Sequence, residues 1–144
     1  MLPKDYSTED EDEDYMNPRQ LEYFKQKLIV WKGALLKESE EKTREILQSR
    51  VDADITDMAT REYETDLTLQ VCSRNDALTL EIDNALQRIE DGLYGYCEET
   101  GEKIGVERLE ANPVTLYCIE EQERRERQQQ LYSDNDGYED SFGN

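Results

Sequence analysis

Residues Asn17 to Leu35, NPRQLEYFKQKLIVWKGAL, decide the fold. Asn17 offers a side-chain oxygen to cap a helix. Pro18 fits the first helical position, where its missing N–H would have had no intrahelical partner. From there Leu21, Phe24, Leu28, Trp31 and Leu35 recur three and four residues apart. That is an a/d stripe, a narrow apolar line that needs a second helix laid along it. Tyr23, Phe24 and Trp31 fall at helical spacing and read as packing groups, not as a ligand box. Past Leu35 the stripe turns polar at Ser39, Lys42 and Thr43, then recovers at Ile46 and Leu47. The outer part of this helix should therefore pack less tightly.

Residues 50–57, RVDADITD, break the pattern and read as a loop joining two helices. Asp57 is a suitable cap for the second helix. Leu67, Val71, Leu78, Ile82, Ala85 and Ile89 then repeat at intervals of three, four or seven, and Gly92 is placed to stop the helix in the left-handed conformation. Two helices of similar length across a short loop predict an antiparallel hairpin over 15–92, roughly 45 Å long at about 1.5 Å per residue. Its tip falls at 50–59, where Asp54 and Asp57 sit with Ala59. These two carboxylates are either a soluble turn with a helix cap, or charge delivered on a long rod into a deep site. In such a site they could meet basic groups or a Mg²⁺, which takes one or two carboxylates plus waters. Cys72 stands alone on the second helix, on the seam or its flank.

From residue 93 the character changes. Gly95, Gly101, Gly105 and Pro113 punctuate short segments carrying Tyr94, Tyr96, Ile104, Val106 and Leu109, and a final helix is predicted from about Cys118 to Tyr132. Within this 93–132 module, Cys97-Glu-Glu-Thr100 and Cys118-Ile-Glu-Glu121 repeat the one-to-four spacing of a zinc knuckle, with seventeen residues between them and cysteine at two of the four positions. A structural zinc site takes four tetrahedral ligands, usually thiolate or imidazole. Cys97, Cys118 and Glu121 could hold zinc with one more carboxylate from Glu98, Glu99 or Glu120. The donor set favours a second reading, in which Cys97 and Cys118 are small buried groups that pack without metal; a reversible disulfide between them is a third, lesser alternative. Two tails complete the chain: 1–14, with seven acidic residues, and 133–144, rich in Asp, Gly and Ser, both read as disordered. The fold class is thus mainly α: a long antiparallel coiled-coil hairpin, a small zinc-knuckle-like module and a C-terminal helix.

Composition narrows the function. Seventeen Lys and Arg against 36 Asp and Glu give a net charge of -19, so nucleic-acid backbone is repelled and direct DNA or RNA binding is not expected. With 35% hydrophobic and 37% charged residues, a thin seam suits the chain better than a thick core. No apolar run approaches the roughly 20 residues of a membrane span. The acidic N-terminus lacks an apolar signal core, and three cysteines without histidine point to reduced thiols in the cytoplasm. The absence of histidine removes the commonest general base, and no nucleophile–base pair stands out, so an enzyme is not expected. Arg124, Arg125 and Arg127 form too small a basic cluster, beside so much acid, to bind a phosphate backbone.

The segment 95–113, GYCEETGEKIGVERLEANP, resembles the knuckle of the DksA/TraR family, whose pattern runs Gly-Tyr-Cys-x-x-Cys-Gly-x-x-Ile-Gly-x-x-Arg-Leu-x-Ala-x-Pro. Tyr15-Met16-Asn17 and Asp54-x-x-Asp57-x-Ala59 match the full-length DksA members in the same register, so the resemblance covers roughly 15–132. It implies a monomeric cytoplasmic regulator that binds RNA polymerase, inserts its coiled coil into the secondary channel and places the tip near the active centre. There it would destabilise open promoter complexes, repressing ribosomal RNA promoters in starvation. Asp54, Asp57 and Ala59 take the family's tip positions, and Arg74 matches a polymerase-contact position on the second helix. Two departures count. Thr100 and Glu121 replace two zinc cysteines, as in members that do not need zinc. Glu81, Asn112 and Gln122 stand where the family has basic residues associated with guanosine tetraphosphate (ppGpp), so co-regulation by that nucleotide either is absent or uses other contacts. Two other readings remain open at this point: a Gre-like channel factor acting on transcript cleavage, and a structural coiled-coil adaptor.

Overall fold

The computed structural model describes residues 14–52 and 58–142, with side chains except at 52 and 134–142. Asp54, Asp57 and the acidic segment up to residue 13 lie outside the described residues. Four helices follow in order: α1 (Pro18–Asp52), α2 (Met58–Glu90), α3 (Val106–Ala111) and α4 (Ile119–Phe142). Two compact units divide between Gly92 and Leu93.

The first unit is the α1–α2 hairpin. Asn17 caps α1 as its sequence predicts: Asn17 Oδ1 accepts the Gln20 backbone N–H at 2.9 Å, and Gln20 Oε1 in turn accepts the Met16 N–H at 2.7 Å. This reciprocal pair satisfies two donors that a helix start leaves without partners. It also explains why Gln20, polar and only 2% exposed, sits at the first buried position of the stripe. Phe24, Leu28 and Leu35 continue the buried line, with Trp31 half-buried between them; from α2, Ile82 and Ala85 answer them.

Partners across the seam fix the direction. Lys32 Nζ meets Asp83 Oδ1 at 2.7 Å, Arg74 Nη2 meets Glu38 Oε1 at 3.3 Å, and the Cys72 thiol lies 3.9 Å from the Ser39 carbonyl. Position rises on one helix as it falls on the other, so α1 and α2 run antiparallel.

Between Val71 and Leu78 the sequence offered no apolar seam residue, and the structure buries Asn75 there. Its Nδ2 donates towards the Leu35 carbonyl (3.3 Å), Glu38 Oε1 (2.8 Å) and Ser39 Oγ (3.1 Å). Asn75 is 2% exposed, so these bonds cannot be replaced by water without opening the seam. Asn75→Ala should cost about 1–3 kcal/mol, because it removes one buried and two part-buried hydrogen bonds to α1 and leaves a gap in the seam. Urea unfolding of the two proteins checks this; equal midpoints would mean the bonds contribute nothing net.

Three details differ from the sequence reading. Leu67 and Leu47, expected on the seam, are 43% and 58% exposed. Leu67 instead lines an open cleft between the helices, among charged and polar neighbours that leave it in contact with solvent. Helix α1 continues through Arg50 to Asp52, where a loop was expected to begin, because no Gly or Pro stops it. Helix α4 runs to Phe142, past Tyr132 and into the segment read as a disordered tail. No proline follows Pro113, and a single Gly137 costs a helix only about 1 kcal/mol.

At the other end of α2, Gly92 takes φ +74° and its N–H donates to the Ile89 carbonyl at 3.2 Å, closing the helix as predicted. An L side chain there would be strained.

The second unit is held by Tyr94, Ile104, Leu109, Val114, Cys97 and Cys118, all buried. Tyr94 donates its hydroxyl to the Pro113 carbonyl at 2.8 Å, so a buried phenol is satisfied inside this small core. Among the described residues there is no strand, only an isolated antiparallel bridge between Tyr96 and Lys103.

Candidate functional site

On the outer half of the hairpin, Ala59 is exposed in the first turn of α2. Arg74 lies farther along α2, with its guanidinium shared between Glu38 (3.3 Å) and the Asn75 amide oxygen (3.5 Å). Its side chain is still 62% exposed. A cleft of about 630 Å³ runs between the two helices here, with Ile46, Leu67 and Val71 as its apolar lining and Lys42, Glu45 and Arg74 among its charged walls. Arg74 is thus oriented by two neighbours and open to a partner. Five residues, 53–57, connect α1 to α2, and two of them are the acidic Asp54 and Asp57.

In the second unit the knuckle spacing closes two turns. The Gly101 N–H donates to the Cys97 carbonyl at 2.9 Å, the Cys97 N–H to the Glu102 carbonyl at 2.7 Å, and Gly101 adopts φ +75°. The second turn opens α4: the Gln122 N–H donates to the Cys118 carbonyl at 2.9 Å. One backbone bond ties the turns together, Glu98 N–H to the Leu116 carbonyl at 2.8 Å.

Cys97 and Cys118 are both buried free thiols. Burial pushes the Cys97 thiol up. The Thr100 hydroxyl and the backbone N–H groups of Cys118, Thr100 and Glu99 outweigh it and bring the thiol down to about 7. Thr100 Oγ1 also lies 3.8 Å from Cys118 Sγ.

Glu121, envisaged from sequence as the third metal ligand, is engaged by two arginines. Its carboxylate is 4% exposed and already occupied: Arg124 donates to both oxygens (2.9 and 2.7 Å), and Arg125 Nε donates to Oε1 at 3.0 Å. These bonds, Arg124's first, hold the Glu121 carboxyl below the ordinary carboxylate value of 4.5. Cys97, Cys118 and Glu121 are not drawn into one ligand set. Among the described residues, the group whose ligand atoms come within 4.8 Å of one another is Glu102, Cys118 and Glu120, of which both glutamates are exposed. With Thr100 and a doubly paired Glu121 at two of the four knuckle positions, the residues present do not fit a four-coordinate structural zinc.

The clasp carries a pH dependence. A carboxyl whose pKa is lowered by folding stabilises the folded unit fully above its unfolded pKa and loses that contribution as pH falls below it. The wild type should therefore outlast Glu121→Gln in urea at neutral pH, and the difference should vanish well below pH 4.5. A difference that persists in acid would assign it to packing instead of charge.

Sequence reasoning missed Asn75 and the Glu121–arginine clasp. The second was legible, since Glu121, Arg124 and Arg125 stand at the (i, i+3) and (i, i+4) spacings of paired helix side chains.

A long antiparallel helical hairpin with an acidic connection, followed by a four-position knuckle, defines a coiled-coil protein with a zinc-finger-type module. The chain belongs to the DksA/TraR family. Residues 20–89 match the model of the DnaK suppressor protein DksA, N-terminal domain, and residues 92–127 match the prokaryotic dksA/traR C4-type zinc finger. The chain is 51% identical over 126 residues to the RNA polymerase-binding transcription factor DksA of Caulobacter vibrioides, covering 86% of this chain and 88% of that one. It is 35% identical over 109 residues to the Escherichia coli K12 protein of the same name, covering 75% and 72%. The solved structure of transcription factor DksA2 from Pseudomonas aeruginosa superposes with a TM-score of 0.77 at 34% identity, over 83% of this chain and 94% of that one.

Proposed function

We propose that the chain is a transcription regulator that binds RNA polymerase and reaches towards its active centre through the secondary channel. In this reading Asp54, Asp57 and Ala59 act at the leading end, Arg74 contacts polymerase, and open promoter complexes at ribosomal RNA promoters lose lifetime. The observation that carries it is the antiparallel pairing of a 35-residue and a 33-residue helix across an acidic five-residue connection. Such a hairpin is about 50 Å long and offers negative charge where polymerase chemistry depends on bound cations. Relatives covered over most of their length carry the name RNA polymerase-binding transcription factor. The protein acts as a monomer in the cytoplasm, with polymerase as its partner and no direct hold on DNA, consistent with a net charge of -19. It performs no catalysis of its own. Zinc is not required. Nor is ppGpp, since Glu81 opposes a polyanion where the family carries a basic residue.

Multi-round transcription from a ribosomal promoter tests the reading. Added protein should reduce product to a similar extent with and without ppGpp. Undiminished product at saturating protein would remove the regulator role, and shortened RNA from stalled complexes would move it to transcript cleavage.

A further inference from the structure

In a C4 knuckle the metal does one mechanical job, cross-linking the turn that carries the first ligand pair to the turn that carries the second. In this chain those turns are 97–100 and 118–121. Arg125 reaches both: its Nε donates to Glu121 Oε1 at 3.0 Å, and its Nη2 reaches Glu99 Oε2 at 3.4 Å. Its guanidinium carbon also lies 4.0 Å from the centre of the Tyr117 ring, one residue before the second turn. Arg124 doubles the hold on Glu121 with a bidentate fork.

Glu121 occupies the fourth knuckle position, where a thiolate would face the ion. Two guanidinium groups within hydrogen-bond distance of it supply the positive charge. A divalent cation entering there would have to displace both arginines and would be repelled by them at short range.

We propose that an arginine clasp, centred on Arg125 and Glu121, takes the structural place of zinc in this knuckle. The proposal rests on the zinc-free reading above and names what replaces the ion. Metal binding gives way to charge pairing within the chain. The module's integrity then follows ionic strength and not metal supply.

The test uses the full chain on a Cys72→Ser background. The alkylation rate of Cys97 and Cys118, both buried, then reports opening of the knuckle alone. Protein from zinc-supplemented cells should contain substoichiometric zinc by elemental analysis, and EDTA should leave the alkylation rate unchanged. Arg125→Gln should raise that rate several-fold at low salt, Arg125→Lys by less, and Arg127→Gln on the same helix not at all. High salt should bring wild type towards Arg125→Gln.

Thr100→Cys with Glu121→Cys restores the four-thiolate frame. That variant should take up one zinc, become sensitive to EDTA and lose its dependence on Arg125. Stoichiometric, EDTA-removable zinc in the wild type would sink the zinc-free reading. Zinc-free wild type with unchanged alkylation in Arg125→Gln would sink the clasp alone. A four-cysteine variant that takes no zinc would overturn the interchange of clasp and metal.

Discussion

If the proposed function holds, Asp57→Asn should leave the protein bound to RNA polymerase and abolish its inhibition of a ribosomal promoter. Asparagine keeps the shape of aspartate and is as good a helix-capping residue, so the hairpin and its contact surface should be unaltered. What disappears is one unit of negative charge. A charge about 4 Å from a cation is worth about 4 kcal/mol at an effective dielectric near 20, which is roughly a thousandfold in an equilibrium. A polymerase interface of ordinary size, about 1,600 Å², draws its affinity from many other contacts, so binding should change little. Asp54→Asn should behave alike. Polymerase pull-down and multi-round transcription on the same preparations separate the two effects. Full inhibition by the Asp57→Asn protein would remove that carboxylate from the mechanism, and loss of binding would make it an anchor instead.

Phe24→Ala should cost about 3–5 kcal/mol of folding free energy, the usual cost of removing a buried aromatic side chain. Phe24 has no exposed surface and meets the Tyr23 ring edge-on, with centroids 5.1 Å apart at 76°. Domains are stable by only about 5–15 kcal/mol, so this one change removes a large share of the total. The loss should appear in circular dichroism as a urea midpoint well below that of wild type. Leu47→Ala, at a side chain 58% exposed, should move it by no more than about 0.5 kcal/mol. Similar shifts for the two would mean that the buried line from Phe24 to Leu35 is not what holds the helices together.

The spacing of Leu21, Phe24, Leu28, Trp31 and Leu35, with Asn17-Pro18 before it, was enough to read the first helix and its capping residue. Gly92 marked the end of the second because a left-handed residue leaves little alternative to glycine. Helix ends without such punctuation were misjudged, at Arg50 and at Tyr132, since acidic and amide residues continue a helix as readily as they leave one. Asn75 escaped notice because hydrophobic periodicity is blind to a polar group that earns its burial through three acceptors on the facing helix. At the knuckle, the spacing of Cys97, Thr100, Cys118 and Glu121 was legible. The spacing of Glu121, Arg124 and Arg125 was legible too, but that both arginines turn onto the same carboxylate depends on rotamers and shows only in three dimensions. Asp54 and Asp57 remain a matter of sequence and family resemblance, outside the described residues.

Between Leu36 and Arg74 no described side chain is fully buried, whereas Gln20 to Leu35 and Asn75 to Ala85 hold every one that is buried in α1 and α2. Cohesion is therefore graded along the hairpin, and separation of the two arms should start at the acidic end and run inward like a zipper until the asparagine stops it. Amide protons of 40–50 and 60–70 would trade with solvent deuterium long before those of 24–35 and 78–86. A rod weakest at its far end can splay or bend there while its root stays firm.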